Sequence, residues 1–280
     1  MMSYYVAIDS CGELTCEMKE SGCFGNVPLT INVDGYEIID DETFDQADFL
    51  RRAAATENAP RSACPSPEKY REAFDRDVDH IFAVTLSAEL SGSYNSAMLG
   101  RDLILEDHPE RQIYVFNSRS ASIGETLIGL KIRECEEKHM SFHQIIDTVE
   151  KYIDSQTTWF VLESLEALRK NGRLSNLKAK VASLLNIKPV MMSTPSGNIT
   201  QLTQCRGINK ALVTMVDNIA ATVKDPGNRI LAISHCNCRE RGMMVRDALL
   251  ERLPLKDVIL LDTRGISSLY ASDGGIIVVV

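Results

Sequence analysis

Short β-rich apolar runs recur along the first half of the chain: "YYVAI" at 4–8, "VPLTINV" at 27–33, "IFAVTL" at 81–86 and "QIYVFN" at 112–117. Between the later runs lie segments whose apolar residues return every three or four positions, among them Phe44, Phe49 and Leu50, then Tyr70 and Phe74, then Met98, Leu99 and Leu103. Strand-period runs alternating with helix-period segments bury both kinds of apolar face only when the strands lie side by side, with helices packed over them. The pattern therefore predicts an α/β fold with a mainly parallel sheet in this half. After Ser118, "IGETLIGLKIRECEEK" and "SFHQIIDTVEKYIDS" read as two successive helices with no strand between, the second capped by Ser141. That pair marks the expected seam between an N-terminal α/β domain, 1–156, and a second domain, 157–280.

The second half opens on a strand, "TTWFVLES", followed by a helix "LEALRK", a turn "NGR", a helix "NLKAKVASLL" and the β-rich stretch "IKPVMMSTPSGNITQLTQ". "PSGN" is a strong turn signal, so this half should contain a hairpin and a mixed sheet. A helix over 207–223, a strand "RILAISH", a helix over 239–252 and the strands "DVILLD" and "GGIIVVV" complete it. The apolar C-terminus is far too short for a membrane span and reads as a buried final strand.

A chain of 280 residues that is 44% hydrophobic and 25% charged has the make-up of a soluble globular protein with a sizeable core. Its formal net charge of -9 argues against a nucleic-acid footprint, which needs clustered Lys and Arg. The N-terminus "MMSYYVAIDS" lacks a secretory pattern, and no run suits stable membrane insertion, so a cytoplasmic location is expected. The eight cysteines are scattered. Only "HCNC", with His235, Cys236 and Cys238, is locally arranged, and it lacks the second pair of a structural zinc site, so free thiols and no metal are expected.

No G-x-G-x-x-G follows the first strand and no P-loop occurs, so a nucleotide cofactor has no signature here. "SNLK" matches S-x-x-K without its partner elements, and reads as a helix start with Ser175 as N-cap and Lys178 in solvent. His139 and His143 are four apart, but a helix starting at Ser141 denies them a shared face. No strong general base for nucleophilic catalysis stands out, and no catalytic residue is assigned.

The stretch "TLSAELSGSYNSAMLG", Thr85 to Gly100, places Ser87, Ser91 and Ser93 where a strand hands over to a helix. Crevices of open α/β sheets form at such strand ends. A helix start offers unpaired N–H groups, and Ser91 and Ser93 add hydroxyls, while Gly92 permits close approach to the backbone. One such serine is explained by capping alone; three in seven residues suit an anionic ligand. A second cluster, "RSACPSP" from Arg61 to Pro67, lies in an expected loop before a helix and would close over the same crevice. Two functions fit: a carrier that grips an anionic ligand, or a serine hydrolase or phosphotransfer enzyme with Ser91 as nucleophile.

Eight blocks, "IDSCGEL", "VPLTINVDGYEIID", "RSACPSPEKY", "TLSAELSGSYNSA", "FNSRSAS", "FVLESLEALRKNGRL", "LLNIKPV" and "CRGINKA", resemble in order and spacing the DegV family of bacterial fatty-acid-binding proteins, from Ala7 to about Ile277. The resemblance implies a two-domain α/β fold with a long-chain fatty acid such as palmitate held between the domains, and no cofactor. It implies no catalytic step of the chain's own; in some members a dihydroxyacetone-kinase-like partner phosphorylates the presented carboxylate. Matched motif by motif, the carboxylate contacts fall on Ser91 and Gly92, with Ser93 beside them, and on Ser62 where the family usually has Thr. Arg173 and Arg206 match arginines at the pocket mouth or kinase-facing surface. Asn171 replaces a usual glycine and is expected to take its left-handed backbone. Near the C-terminus Leu269 stands about where the family has a histidine, with Ser267 and Ser268 supplying hydroxyls.

Overall fold

The computed structural model describes residues 3–175 and 186–280; the expected helix over 176–185 and Lys178 lie outside them. In chain order the first half contains β1 (Tyr4–Asp9), α1 (Cys16–Ser21), β2 (Phe24–Val27), β3 (Thr30–Val33), β4 (Tyr36–Ile39), α2 (Gln46–Ala55), β5 (Arg61–Ala63), α3 (Pro67–Phe74), β6 (His80–Thr85), α4 (Ser93–Asp107), β7 (Gln112–Asn117), α5 (Ile123–Glu137) and α6 (Phe142–Ser155). The second contains β8 (Thr158–Val161), α7 (Glu166–Lys170), β9 (Ile187–Ser193), β10 (Ile199–Arg206), α8 (Ile208–Thr222), a 3-10 turn at Pro226–Asn228, β11 (Ile230–His235), α9 (Arg239–Leu250), β12 (Asp257–Asp262), α10 (Gly265–Ala271) and β13 (Ile276–Val279).

The expected parallel sheet is present in the order β2-β1-β6-β7. Successive β6 residues point to opposite faces. Ile81 and Ala83 pack with Tyr70, Phe74, Ala97 and Ile104 of α3 and α4, whereas Phe82 and Val84 pack with Ile128, Ile132, Ile145 and Val149 of α5 and α6. Period-two alternation in a strand covered on both sides yields this three-layer arrangement. At Gly100 a Cβ would sit 2.6 Å from both Pro67 O and Tyr70 Cβ, so the bare backbone lets α4 approach α3.

The run 27–33 is not one strand. β2 ends at Val27 in the parallel sheet, and β3 begins at Thr30 in a separate antiparallel sheet of order β4-β3-β5. Pro28, which has no N–H for a ladder, sits at the break. Leu29 then anchors the crossing, its N–H donating to Ser10 Oγ and its carbonyl accepting from Asp40 N. The expected loop over "RSACPSP" is also modified, because Arg61–Ala63 form β5 before Ser66 caps α3.

The second half builds a mixed sheet, β10-β9-β8-β13-β11-β12. "PSGN" turns the β9–β10 hairpin, with Gly197 at φ 89° and Thr194 N donating to Asn198 O. The C-terminal β13 lies between β8 and β11, buried as the apolar pattern required. One face of this sheet packs on α8 and α9 around Met215, Ile219, Val245 and Leu249. On the other face Ile123 and Leu127 of α5 meet Ala232 and Val279. Helix α5 is thus shared: Ile128 and Ile132 serve the parallel sheet and Ile123 and Leu127 the mixed one. Among the described residues no helix is long and apolar enough to cross a membrane.

Candidate functional site: a tunnel between two sheets

Along β8 the side chains alternate. Trp159 and Val161 enter the core beneath α8 and α9, while Thr158 and Phe160, continued by Leu162, face a void of about 740 Å³ including its mouth. Leu86, Leu90, Leu168, Ile199, Ile266 and Ile277 add apolar wall around it. The loops at the carboxyl ends of β1, β6 and β7 close it from the side of the parallel sheet, the crevice position that the alternating pattern implied.

At the Leu162 end Arg173 and Tyr270 enter the lining. Arg173 donates from Nε to Leu90 O (3.1 Å) and from Nη1 to Asn171 O (2.7 Å), and its Cζ lies 5.6 Å from the Tyr270 ring centroid. Among the described residues no carboxylate forms an ion pair with it. Tyr270 Oη is 2.8 Å from Ser62 Oγ. Asn171 does not take the left-handed backbone expected of it (φ -88°); the next residue, Gly172, does so at φ 78° and turns the chain.

The serine-rich stretch divides its labour. Ser87 is buried and donates to Gly197 O (2.8 Å), pinning the β9–β10 turn to the other half. Ser91 Oγ accepts from Ser93 N (3.2 Å) and lies 3.1 Å from Ser93 Oγ. Ser93 is fully buried, and Gly92 is the N-cap of α4 at φ -75°, with no side-chain cap. Cys64 Sγ lies 3.1 Å from where a Gly92 Cβ would be, so the β5 segment does close over the start of α4.

Of the other expected residues, Ser267 lines the tunnel and donates to Cys11 O (2.9 Å), whereas Ser268 turns away to Thr263 Oγ1 (2.8 Å) and Gln46 Nε2 (3.2 Å). Arg206 is exposed at the end of β10, outside the lining. Leu269 is buried among Phe49, Ala167 and Ile266 and points away from the tunnel. The following residue, Tyr270, faces it, a displacement of one position that the sequence had no strand alternation to reveal. Asp40 holds this segment in place, its carboxylate accepting from Gly265 N (2.9 Å) and Ile266 N (2.8 Å).

Behind the wall lies a buried acidic group. Asp9 accepts from Cys11 N (3.1 Å) and Leu86 N (2.9 Å), yet burial raises it to about 6. Glu13 accepts from Ser122 Oγ (2.9 Å) and Ser234 Oγ (3.2 Å), tying the two halves together, and burial raises it to about 7. Among the described residues Glu125 has no hydrogen-bond partner at normal distance; burial first, then the negative charges of Asp9 and Glu13, pushes its carboxyl well above the ordinary carboxylate range. Burial likewise pushes the Cys11 thiol up. Carboxyls without a neighbouring cation take protons in this way. The same cause raises Cys236 and Cys238 to about 11, so the "HCNC" segment carries thiols, with His235 Nδ1 3.5 Å from Asp262 Oδ1.

The family model described as an uncharacterised protein of the DegV family matches residues 3–280. The chain belongs to the DegV family. A DegV domain-containing protein of Streptococcus pneumoniae is 35% identical over 257 residues, 91% of this chain and 89% of the relative. A crystal structure of a DegV family protein from Ruminococcus gnavus, refined with vaccenic acid, is 52% identical and covers 100% of both chains with a TM-score of 0.97. One from Eubacterium eligens, loaded with heptadecanoic acid, is 30% identical with a TM-score of 0.90, covering 99% of this chain and 98% of its own. The Streptococcus pneumoniae fatty acid kinase B3 protein, loaded with linoleic acid, is 31% identical with a TM-score of 0.89, covering 99% of each chain.

Proposed function

We propose that this DegV protein binds a long-chain fatty acid in the tunnel, carboxylate toward Arg173 and Tyr270, tail along β8 toward Thr158. The observation that carries the reading is an apolar tunnel with, at one end only, a cation that has no carboxylate partner among the described residues. Arg119, which lines the other end, is already neutralised by Asp154 (2.8 Å) and Glu150 (3.6 Å). The tail supplies affinity: sixteen carbons at about 0.8 kcal/mol per methylene give roughly 12 kcal/mol gross, before the cost of immobilisation. Ser267 and Tyr270, which line the tunnel, and Ser62, bonded to Tyr270 Oη, offset the desolvation of the carboxylate and set which end lies where; Ser91, Gly92 and Ser93 lie outside the lining, next to its Leu90, and belong to the same proposed carboxylate end. The fatty acids held by the 52%, 30% and 31% identical relatives support the assignment.

The protein acts as a carrier in the cytoplasm and presents the carboxylate to a dihydroxyacetone-kinase-like fatty-acid kinase, with Arg206 on the partner-facing surface. A fatty acid kinase B3 protein among the relatives supports this role. Division of the chain into 1–156 and 157–280 belongs to the same proposal, since the parallel sheet is built wholly from the first part and the mixed sheet from the second. Against a serine enzyme, Ser91 Oγ is bonded to Ser93 and, among the described residues, to no histidine or carboxylate. Native mass spectrometry of gently purified protein should show a non-covalent fatty acid, and Ser91→Ala should bind it more weakly without unfolding. A covalent acyl or phosphoryl adduct on Ser91 would overturn the carrier reading, and unchanged affinity in Ser91→Ala would remove that residue's role.

A further inference from the structure

The far end of the tunnel is not the greasy stop that a methyl terminus would favour. Its wall there is made by Ser120, Thr158 and Ser193, about 13 Å along the strand from Leu162 at some 3.3 Å per residue. Ser120 Oγ is 2.6 Å from Thr158 Oγ1, and Ser193 Oγ accepts from Thr158 N at 3.1 Å. Those bonds leave one donor over. Two hydroxyls facing each other use one hydrogen between them, Thr158 donating to Ser120, and Ser120 Oγ donates its own hydrogen to Ala121 O at 3.5 Å. Among the described residues the Ser193 hydroxyl hydrogen has no acceptor. Beyond these three side chains, which line both spaces, lies a second, small recess bounded also by Ser118, Gln156 and Thr194. An alkyl end placed there would cover the Ser193 hydroxyl hydrogen and give it nothing in return.

Resting on the fatty-acid reading, we propose that Ser120, Thr158 and Ser193 form a second polar subsite, and that the tunnel accepts long-chain fatty acids hydroxylated in the distal half of the chain. The ligand hydroxyl accepts from Ser193 and donates to Thr158 Oγ1. A distal carboxylate is refused, because Arg119 already carries Asp154 and Glu150 and the three hydroxyls cannot match a full charge. In a tunnel closed by leucine or phenylalanine a buried unmatched hydroxyl would instead be discriminated against by about tenfold, or about 1.4 kcal/mol.

The test is displacement of a fluorescent fatty acid from delipidated full-length protein by hexadecanoic acid, by hydroxyhexadecanoic acids with the hydroxyl at or near the ω carbon, and by the matching diacid. For at least one distal position the wild-type protein should bind the hydroxy acid within about threefold of the parent acid and reject the diacid. Replacing Thr158→Val together with Ser193→Ala should shift the ratio of hydroxy to parent affinity by about tenfold against the hydroxy acid, while Thr158→Ser should preserve it. A wild-type ratio already tenfold or more against every hydroxy acid, or a ratio unmoved by the double replacement, overturns the subsite. Hexadecanoic acid failing to bind would instead sink the fatty-acid reading itself, so the two failures are distinguishable.

Discussion

Replacing Glu13→Gln should flatten the pH dependence of stability. Glu13 is fully buried, and its carboxyl is raised from 4.5 to about 7. In the unfolded chain it ionises near 4.5, while the folded protein keeps its proton until about 7, so across that interval the unfolded state binds fewer protons and stability falls as pH rises. At 1.36 kcal/mol for each tenfold change in proton affinity, the stability present below pH 4.5 and lost by pH 7 is about 3 kcal/mol from Glu13 alone. Asp9, raised from 3.8 to about 6, loses a similar amount between those values and is unaffected by the change. Glutamine keeps the shape and cannot ionise. Urea unfolding of delipidated protein at pH 4.5, 5.5, 6.5 and 7.5 is followed by fluorescence of the single tryptophan, Trp159, which is buried, and by circular dichroism. The stability of the variant relative to wild type should rise by about 3 kcal/mol from pH 4.5 to 7.5, whatever constant loss comes from disturbing the Ser122 and Ser234 bonds. Parallel curves for the two proteins would refute the reasoning.

Three further changes have defined outcomes. Tyr270→Phe removes the hydroxyl 2.8 Å from Ser62 Oγ and should weaken fatty-acid binding about fivefold, as one neutral hydrogen bond would, measured by ligand titration. Asp40→Ala strips two backbone N–H groups of a charged acceptor; stability should drop by about 3 kcal/mol in urea, and ligand affinity with it, because the segment carrying Ser267 and Tyr270 loses its anchor. Gly100→Ala drives a methyl against Pro67 O and Tyr70 Cβ at 2.6 Å and should cost about 1–3 kcal/mol in spite of alanine's helix preference, with ligand affinity retained.

Much of the architecture could be read from periodicity. The runs that became β1, β6 and β7 announced a parallel sheet because strands buried on both faces need apolar residues throughout, and "PSGN" announced the hairpin because Gly197 supplies the left-handed turn. Failures came where one residue decides. Pro28 divides 27–33 between two sheets, an outcome that depends on Ser10 and Asp40 receiving Leu29 from afar. In "GISSLYASDGG" nearly every helical residue is buried, so no polar face sets the phase, and Tyr270 rather than Leu269 meets the tunnel. Ser87 and Ser268 were legible as hydroxyls but not as structural ties, because Gly197 and Thr263 are brought to them only by tertiary packing. Neither Ser120 nor Thr158 stands out in the sequence, because a strand end and a distant loop meet there only in the fold.

The helix between the two sheets has a consequence for how the molecule melts. With Ile123 and Leu127 in one hydrophobic cluster and Ile128 and Ile132 in another, α5 cannot leave either sheet without stripping the other of its cover. Calorimetry of the ligand-free protein should therefore trace one endotherm, whose van't Hoff and calorimetric enthalpies agree, although the chain is drawn as two halves. Two resolved peaks would mean that the helix belongs thermodynamically to one side alone.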